Sequence, residues 1–240
     1  MFSDILTPVH AAGIPLHFEE ARGPVLEKTI RQESELALID DYDPARDNPY
    51  VGETLQGIQQ YIEKLSDEIR PTLIGFAGAP FTLASYIVEG STTRKFELTK
   101  TAAFRDTDFF LKLLDRLAEI TADYLCYQID SGAQVVQIFD SWASEFSPAD
   151  FERFCLPYLK RIVDEVKQTH PDLPLILYSS GSGGLLERLA TTGADVLSLD
   201  GTVDMADAPM TMITIESKTL RVAGESSKVP TCRSIWNPWS

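Results

Sequence analysis

Between about residues 71 and 200, short unbroken apolar runs alternate with longer segments whose apolar positions recur every three or four residues. An unbroken run reads as a strand buried on both faces, and the three-to-four spacing reads as an amphipathic helix. Strands are predicted over residues 71–77 (Leu73, Ile74 and Phe76), 133–139, 174–178 and 195–199. Helices are predicted over residues 80–88, 107–130 (Leu113, Leu117, Ile120 and Tyr124), 148–169 and 184–192. The third of these opens on Ser147-Pro148-Ala149-Asp150: a capping hydroxyl, a proline at the first helical position and an early acid. Its inward face would be Phe151, Phe154, Tyr158, Ile162 and Val166, with a kink at Pro157. Strands and helices in strict alternation give the α/β class, with a parallel sheet covered by helices.

The flanks are less regular. Residues 1–6 read as the tail of a strand whose beginning is missing. Helices are expected at about residues 28–38 and 52–69, joined by the acidic turn Asp40-Asp41-Tyr42-Asp43-Pro44. Residues 209–240 have no clear period and are rich in Ser and Thr. Lys218, Arg221, Lys228 and Arg233 there face only Glu216 and Glu225, and Met210-Thr211-Met212-Ile213-Thr214 resembles the start of a cloning-vector reporter peptide. The organisation read from this is a folded unit over residues 1–208 and a non-native or disordered tail over residues 209–240.

Composition narrows the partners. A net charge of −15 argues against nucleic acid and anionic membrane surfaces, which need clustered Lys and Arg. No apolar stretch approaches the roughly 20 residues that span a bilayer, and residues 1–20 lack a signal-peptide pattern. Cys126, Cys155 and Cys232 are widely spaced, which supports neither a disulfide framework nor a zinc site, so a reducing compartment fits.

Three strand ends carry candidate chemistry. Gly75-Phe76-Ala77-Gly78-Ala79-Pro80-Phe81-Thr82-Leu83-Ala84-Ser85-Tyr86 ends a strand, turns, and opens a helix bearing Tyr86. Phe2-Ser3-Asp4-Ile5-Leu6 presents Asp4, and Gln137-Ile138-Phe139-Asp140-Ser141-Trp142 presents Ser141. In a closed barrel the C-terminal strand ends form one face, on which these residues would converge. Each also has a plain structural reading: Asp4 as a turn cap, Tyr86 as a core tyrosine, Ser141 as an ordinary strand-end serine. No Gly-x-Ser-x-Gly elbow surrounds Ser141, and His10, His17 and His170 offer no triad. Ser179-Ser180-Gly181-Ser182-Gly183-Gly184 is either an anion-holding helix start or a flexible turn.

Together the three motifs resemble the uroporphyrinogen decarboxylase family, closest to its cyanobacterial and plastid members, over residues 2–206. The resemblance implies a TIM (β/α)8 barrel, incomplete in this chain, and a carboxy-lyase needing no cofactor and no metal. Its substrate would be the small molecule uroporphyrinogen, in the cytoplasm or plastid stroma, with a homodimer as the family's assembly. It implies that Asp4 binds the pyrrole N–H groups, that Tyr86 contacts substrate and Asp4, that Ser141 donates to a substrate carboxylate, and that Phe139 lines the pocket. Gly201 stands where the family has tryptophan, which leaves local packing there open. The family's Arg-Gln-Ala-Gly-Arg-Tyr motif and its C-terminal histidine do not occur, so the 240-residue polypeptide is expected to be inactive by itself. Two alternatives remain: an inactive fragment, and a corrinoid-related methyltransferase on the same barrel. Cys126 and Cys155 fall in helices rather than at strand ends, which counts against the latter.

Overall fold

A computed structural model of the chain describes residues 4–20, 23–203, 215–216 and 219–220. The predicted alternation is present. In chain order, α1 (Thr7–Ala11) leads into a hairpin of β1 (Leu16–Glu19) and β2 (Gly23–Leu26), and α2 (Pro44–Asp47) and α3 (Pro49–Ile62) follow. The next elements are β3 (Ile74–Gly78), α4 (Pro80–Glu89), α5 (Glu97–Arg105), α6 (Thr107–Asp130) and β4 (Val135–Asp140). The series then continues with α7 (Pro148–Phe154), α8 (Leu156–Thr169), β5 (Leu175–Ser179), α9 (Leu186–Leu189) and β6 (Val196–Leu199). The tail assigned to residues 209–240 lies outside the described residues, apart from the short antiparallel pair Ile215–Glu216 and Thr219–Leu220.

The sheet runs β3-β4-β5-β6, all parallel, each strand beside the next in sequence. That order never reverses, so helices stay on one side and the sheet curls as an arc of a (β/α)8 barrel rather than a doubly wound sheet. Ala77, Val136, Ile138, Leu175, Leu177 and Leu197 face the helices and join one continuous core with Phe109, Phe110, Leu113, Leu117, Ile162 and Val166. The other face is layered. Val135, Ile176 and Val196 form a separate buried cluster near the N-terminal ends. Above it Phe76, Phe139 and Tyr178 stand half-buried, with Phe139 5.8 Å edge-on from Phe76 and 5.7 Å from Tyr178.

Among the described residues β3 pairs with β4 alone, and its outer edge is closed by a side chain. Gln128 of α6 donates to the Phe76 carbonyl and accepts from the Phe76 N–H, both at 2.9 Å. Gly75 permits this approach, since a Cβ there would stand 2.8 Å from Gln128 Oε1. The amide thus takes the place of a neighbouring strand.

Five expectations need correction. The helix expected at residues 28–38 is only a short 3₁₀ turn, Glu33–Leu38. Before it the chain runs extended, with the Ile30 N–H on the Ile87 carbonyl and Arg31 Nε on the Val88 carbonyl, and these tertiary bonds override local preference. The helix expected at residues 52–69 starts earlier, at Pro49, and stops at Ile62. The long helix breaks at Cys155, leaving Pro157 in the first turn of α8 instead of at a mid-helix kink. The last predicted helix is three short turns around Leu186–Leu189. Asp4–Leu6 is a turn into α1, and the remainder of the expected strand tail, residues 1–3, lies outside the described residues.

Candidate functional site

Phe139 and Ser141 lie at the C-terminal end of β4, Tyr86 lies in α4 after β3, and Asp4 lies in the turn that leads into α1. Asp4 is half-buried; its Oδ1 accepts the Leu6 N–H at 2.8 Å and its carbonyl accepts the Thr7 hydroxyl at 2.6 Å, so the turn-cap reading is correct. The same carboxylate also lies close enough to Tyr86 to act on its phenol. Burial raises the Tyr86 pKa above the ordinary tyrosine value and Asp4 raises it further, while a hydrogen bond with Thr92 works the other way. Tyr86 therefore remains a protonated donor at neutral pH.

Tyr86 stacks on Trp142 at 4.3 Å between centroids, and Phe96 packs edge-on against the other side of Trp142 at 5.0 Å. Phe96 holds φ at +51°, the only positive φ outside glycine among the described residues. A bulky residue in this region is strained, and it is held there by its burial under the tryptophan. Ser141 is next in the chain to Trp142 of this tier. Ser141 is half-buried and makes no side-chain hydrogen bond among the described residues, which leaves its hydroxyl available to a ligand. Phe139 precedes it by two residues on the inner face.

Asp140 lies between them and faces the helices. It is fully buried, accepts the Thr82 hydroxyl at 3.0 Å, and burial pushes its pKa up to about 7. Neither Trp142 nor Asp140 was singled out by sequence reasoning as a site residue. The available signal was an acid ending an otherwise apolar strand.

The glycine-rich loop after β5 resolves against an anion site. The Gly181 N–H donates to Asp200 Oδ2, and the N–H and hydroxyl of Thr202 donate to Asp200 Oδ1. The Gly183 N–H donates to the Thr202 hydroxyl at 3.3 Å. These hydrogen bonds hold the Asp200 carboxyl below its usual range, the Thr202 hydroxyl contributing most. The chain supplies its own anion, so the loop is a strut between β5 and β6.

An apolar cavity of about 330 Å³ sits at the opposite end of β3, lined by Leu55, Ile58, Leu73, Ile74 and Tyr124. No histidine hydrogen-bonds Ser141 among the described residues, so the serine has no base to make it a nucleophile. The three polar groups suit another chemistry: a carboxylate for positive charge, and two hydroxyls for orienting an anionic ligand. Among the described residues no helix is long and apolar enough to cross a membrane.

The sequence profile of the family described as uroporphyrinogen decarboxylase matches residues 1–224. The chain is 49% identical over 207 residues to a uroporphyrinogen decarboxylase of Prochlorococcus marinus strain MIT 9303, covering 86% of this chain and 57% of that protein. It is 52% identical over 207 residues to the chloroplastic uroporphyrinogen decarboxylase of Nicotiana tabacum, covering 86% of this chain and 52% of that one. To the enzyme of Parasynechococcus marenigrum it is 50% identical over 208 residues, 87% of this chain and 58% of the relative. The chain thus spans a little over half the length of the curated relatives it matches.

Proposed function

The chain belongs to the uroporphyrinogen decarboxylase family, and from that premise we propose that residues 1–208 carry the central part of a carboxy-lyase acting on uroporphyrinogen III. The reaction removes CO2 from four acetate side chains and yields coproporphyrinogen III. A proton added to a pyrrole makes the ring an electron sink. The bond to the carboxylate then breaks, its electron pair flows into the ring, and CO2 departs. Reprotonation of the methylene carbon and loss of the ring proton restore the pyrrole.

Asp4 offsets the positive charge of the protonated ring and binds its N–H groups. Tyr86 donates toward the substrate from beside Asp4, Ser141 donates to a substrate carboxylate, and Phe139 presents an apolar face to the macrocycle. The observation that carries this reading is that the Asp4 carboxylate, in the turn before α1, is near enough to the Tyr86 phenol of α4 to help raise its pKa. Neither residue alone favours function over packing; the two together support the functional reading. The likeness to cyanobacterial and chloroplastic relatives supports action in bacterial cytoplasm or plastid stroma, and a homodimer of the complete enzyme accords with the family.

The test is a chimera in which residues 1–208 replace the matching segment of the tobacco enzyme, assayed for coproporphyrinogen beside the 240-residue chain. The chimera is expected to turn over and the chain alone to be inert. A folded chimera that releases no CO2 defeats the reading.

A further inference from the structure

Three side-chain oxygens are buried with no hydrogen-bond partner among the described residues where β4 and β5 end: Asp140 Oδ2, Ser179 Oγ and Ser182 Oγ. The residues that bear them are 0%, 1% and 0% exposed. Asp140 and Ser179 are paired in the parallel register, so their side chains leave the sheet on the same face, toward the helices. Ser182 opens the turn that follows, and the Ser180 N–H donates to the Asp140 carbonyl. Buried polar atoms seldom remain unpaired, and an ordered water with two to four polar partners is the usual solution.

We propose that Asp140 is a positioning residue for Ser141: its carboxyl ties the end of β4 to α4 through Thr82 and to the end of β5 through a buried water shared with Ser179 and Ser182. Ser141 follows β4 by one residue, with no side-chain hydrogen bond among the described residues to orient it. Its direction is therefore set by how firmly Asp140 is held. Trp142 alone cannot supply this, because an aromatic stack resists tilting but not sliding along the strand axis.

The clamp stands on geometry; only its effect on substrate rests on the decarboxylase reading. Amide exchange and the Ser141 side-chain rotamer are measured by NMR on the 240-residue chain carrying Asp140→Ala, Asp140→Asn or Thr82→Val. Asp140→Ala and Thr82→Val are expected to speed exchange at residues 141–143 by about tenfold, beyond any change elsewhere in β4, and to release the Ser141 rotamer. Asp140→Asn can accept from Thr82 and donate to the water, so it is expected to stay within about twofold of the parent. If Asp140→Ala does not fold, Thr82→Val decides the matter. In the chimera, Asp140→Ala is expected to raise KM about tenfold with kcat nearly unchanged, because Ser141 grips ground and transition states alike. Uniform acceleration across β4, or failure of Asn to rescue, reduces Asp140 to a stability residue. Local exchange with unchanged KM overturns the positioning role. An inert parent chimera condemns the decarboxylase reading and leaves the clamp to be judged on the exchange data.

Discussion

Asp4 accepts a backbone N–H at 2.8 Å and acts on Tyr86 with the same carboxylate, so the two roles separate on substitution. Asp4→Asn keeps a capping oxygen and loses the charge. In the chimera it is expected to lower turnover by about 10²–10³ while changing stability little, the usual cost of one electrostatic contact to a developing charge. Turnover within twofold of the parent removes Asp4 from the mechanism. Asp140 gives a prediction in pH. Its folded pKa of about 7 exceeds the ordinary aspartate value of 3.8, so between those values the folded chain binds the extra proton. Stability from this group is full below about pH 4 and is lost as pH rises toward 7. The buried Cys155 thiol, at the junction of α7 and α8, is the titratable neighbour that feels Asp140, and it stays protonated throughout. Urea unfolding should show Asp140→Asn gaining on the parent by an amount on the order of a few kcal/mol from pH 4.5 to 7.5. A constant difference across that range refutes the assignment. Asp4 and Tyr86 stood out in the sequence through the family motifs around them, while turn chemistry pointed only to a cap. Asp140 did not, since a strand-end acid reads the same whether its side chain meets solvent or the helix layer.

At the scale of elements, legibility followed strength of period. The helix expected over residues 107–130 is observed as Thr107–Asp130, because its apolar positions recur from Phe109 to Leu125. The segment around Ile30 defeated the pattern, as its backbone bonds to α4 instead of to itself. The β1–β2 hairpin was likewise invisible, since Leu16-His17-Phe18-Glu19 is too short to show a period. The Gln128 clamp on β3 belongs to the same scale. Gln128→Leu keeps the bulk, removes both bonds to Phe76, and is expected to cost about 1–3 kcal/mol in urea unfolding. Gln128→Glu retains an acceptor for the N–H but sets a carboxylate against the carbonyl, so it should cost more. If Glu is tolerated better than Leu, the paired geometry is not what holds β3. The loop lock is tested by Gly181→Ala: φ is +65° there and a Cβ would stand 2.5 Å from that of Ser144, so the loop must shift and Tm should fall.

For the molecule as a whole, the inner face carries half-buried Phe76, Phe139 and Tyr178 beside fully buried Ile176 and Val196. A closed barrel would cover these rings, and strands with a free edge invite pairing with other chains. The chimera is therefore expected to stay monodisperse at concentrations where the 240-residue chain aggregates, measured by light scattering. Equal solubility would show that the arc is self-sufficient. Strand order has a further consequence, one of timing. The β3–β4 junction joins residues 61 apart, Leu73 and Gln134, whereas the β5–β6 junction joins residues 20 apart, Leu175 and Asp195. Closing the longer loop costs about 1 kcal/mol more in chain entropy. Phe76 also cannot gain its amide partner until α6 has formed. Refolding should then start at the C-terminal pair and finish with β3. Truncations at Ile176 or Val196 would slow the forward rate, while Gln128→Leu would act almost wholly on unfolding. Within this sheet β3 is made before β4, β5 and β6, yet some sixty residues separate it from its partner β4.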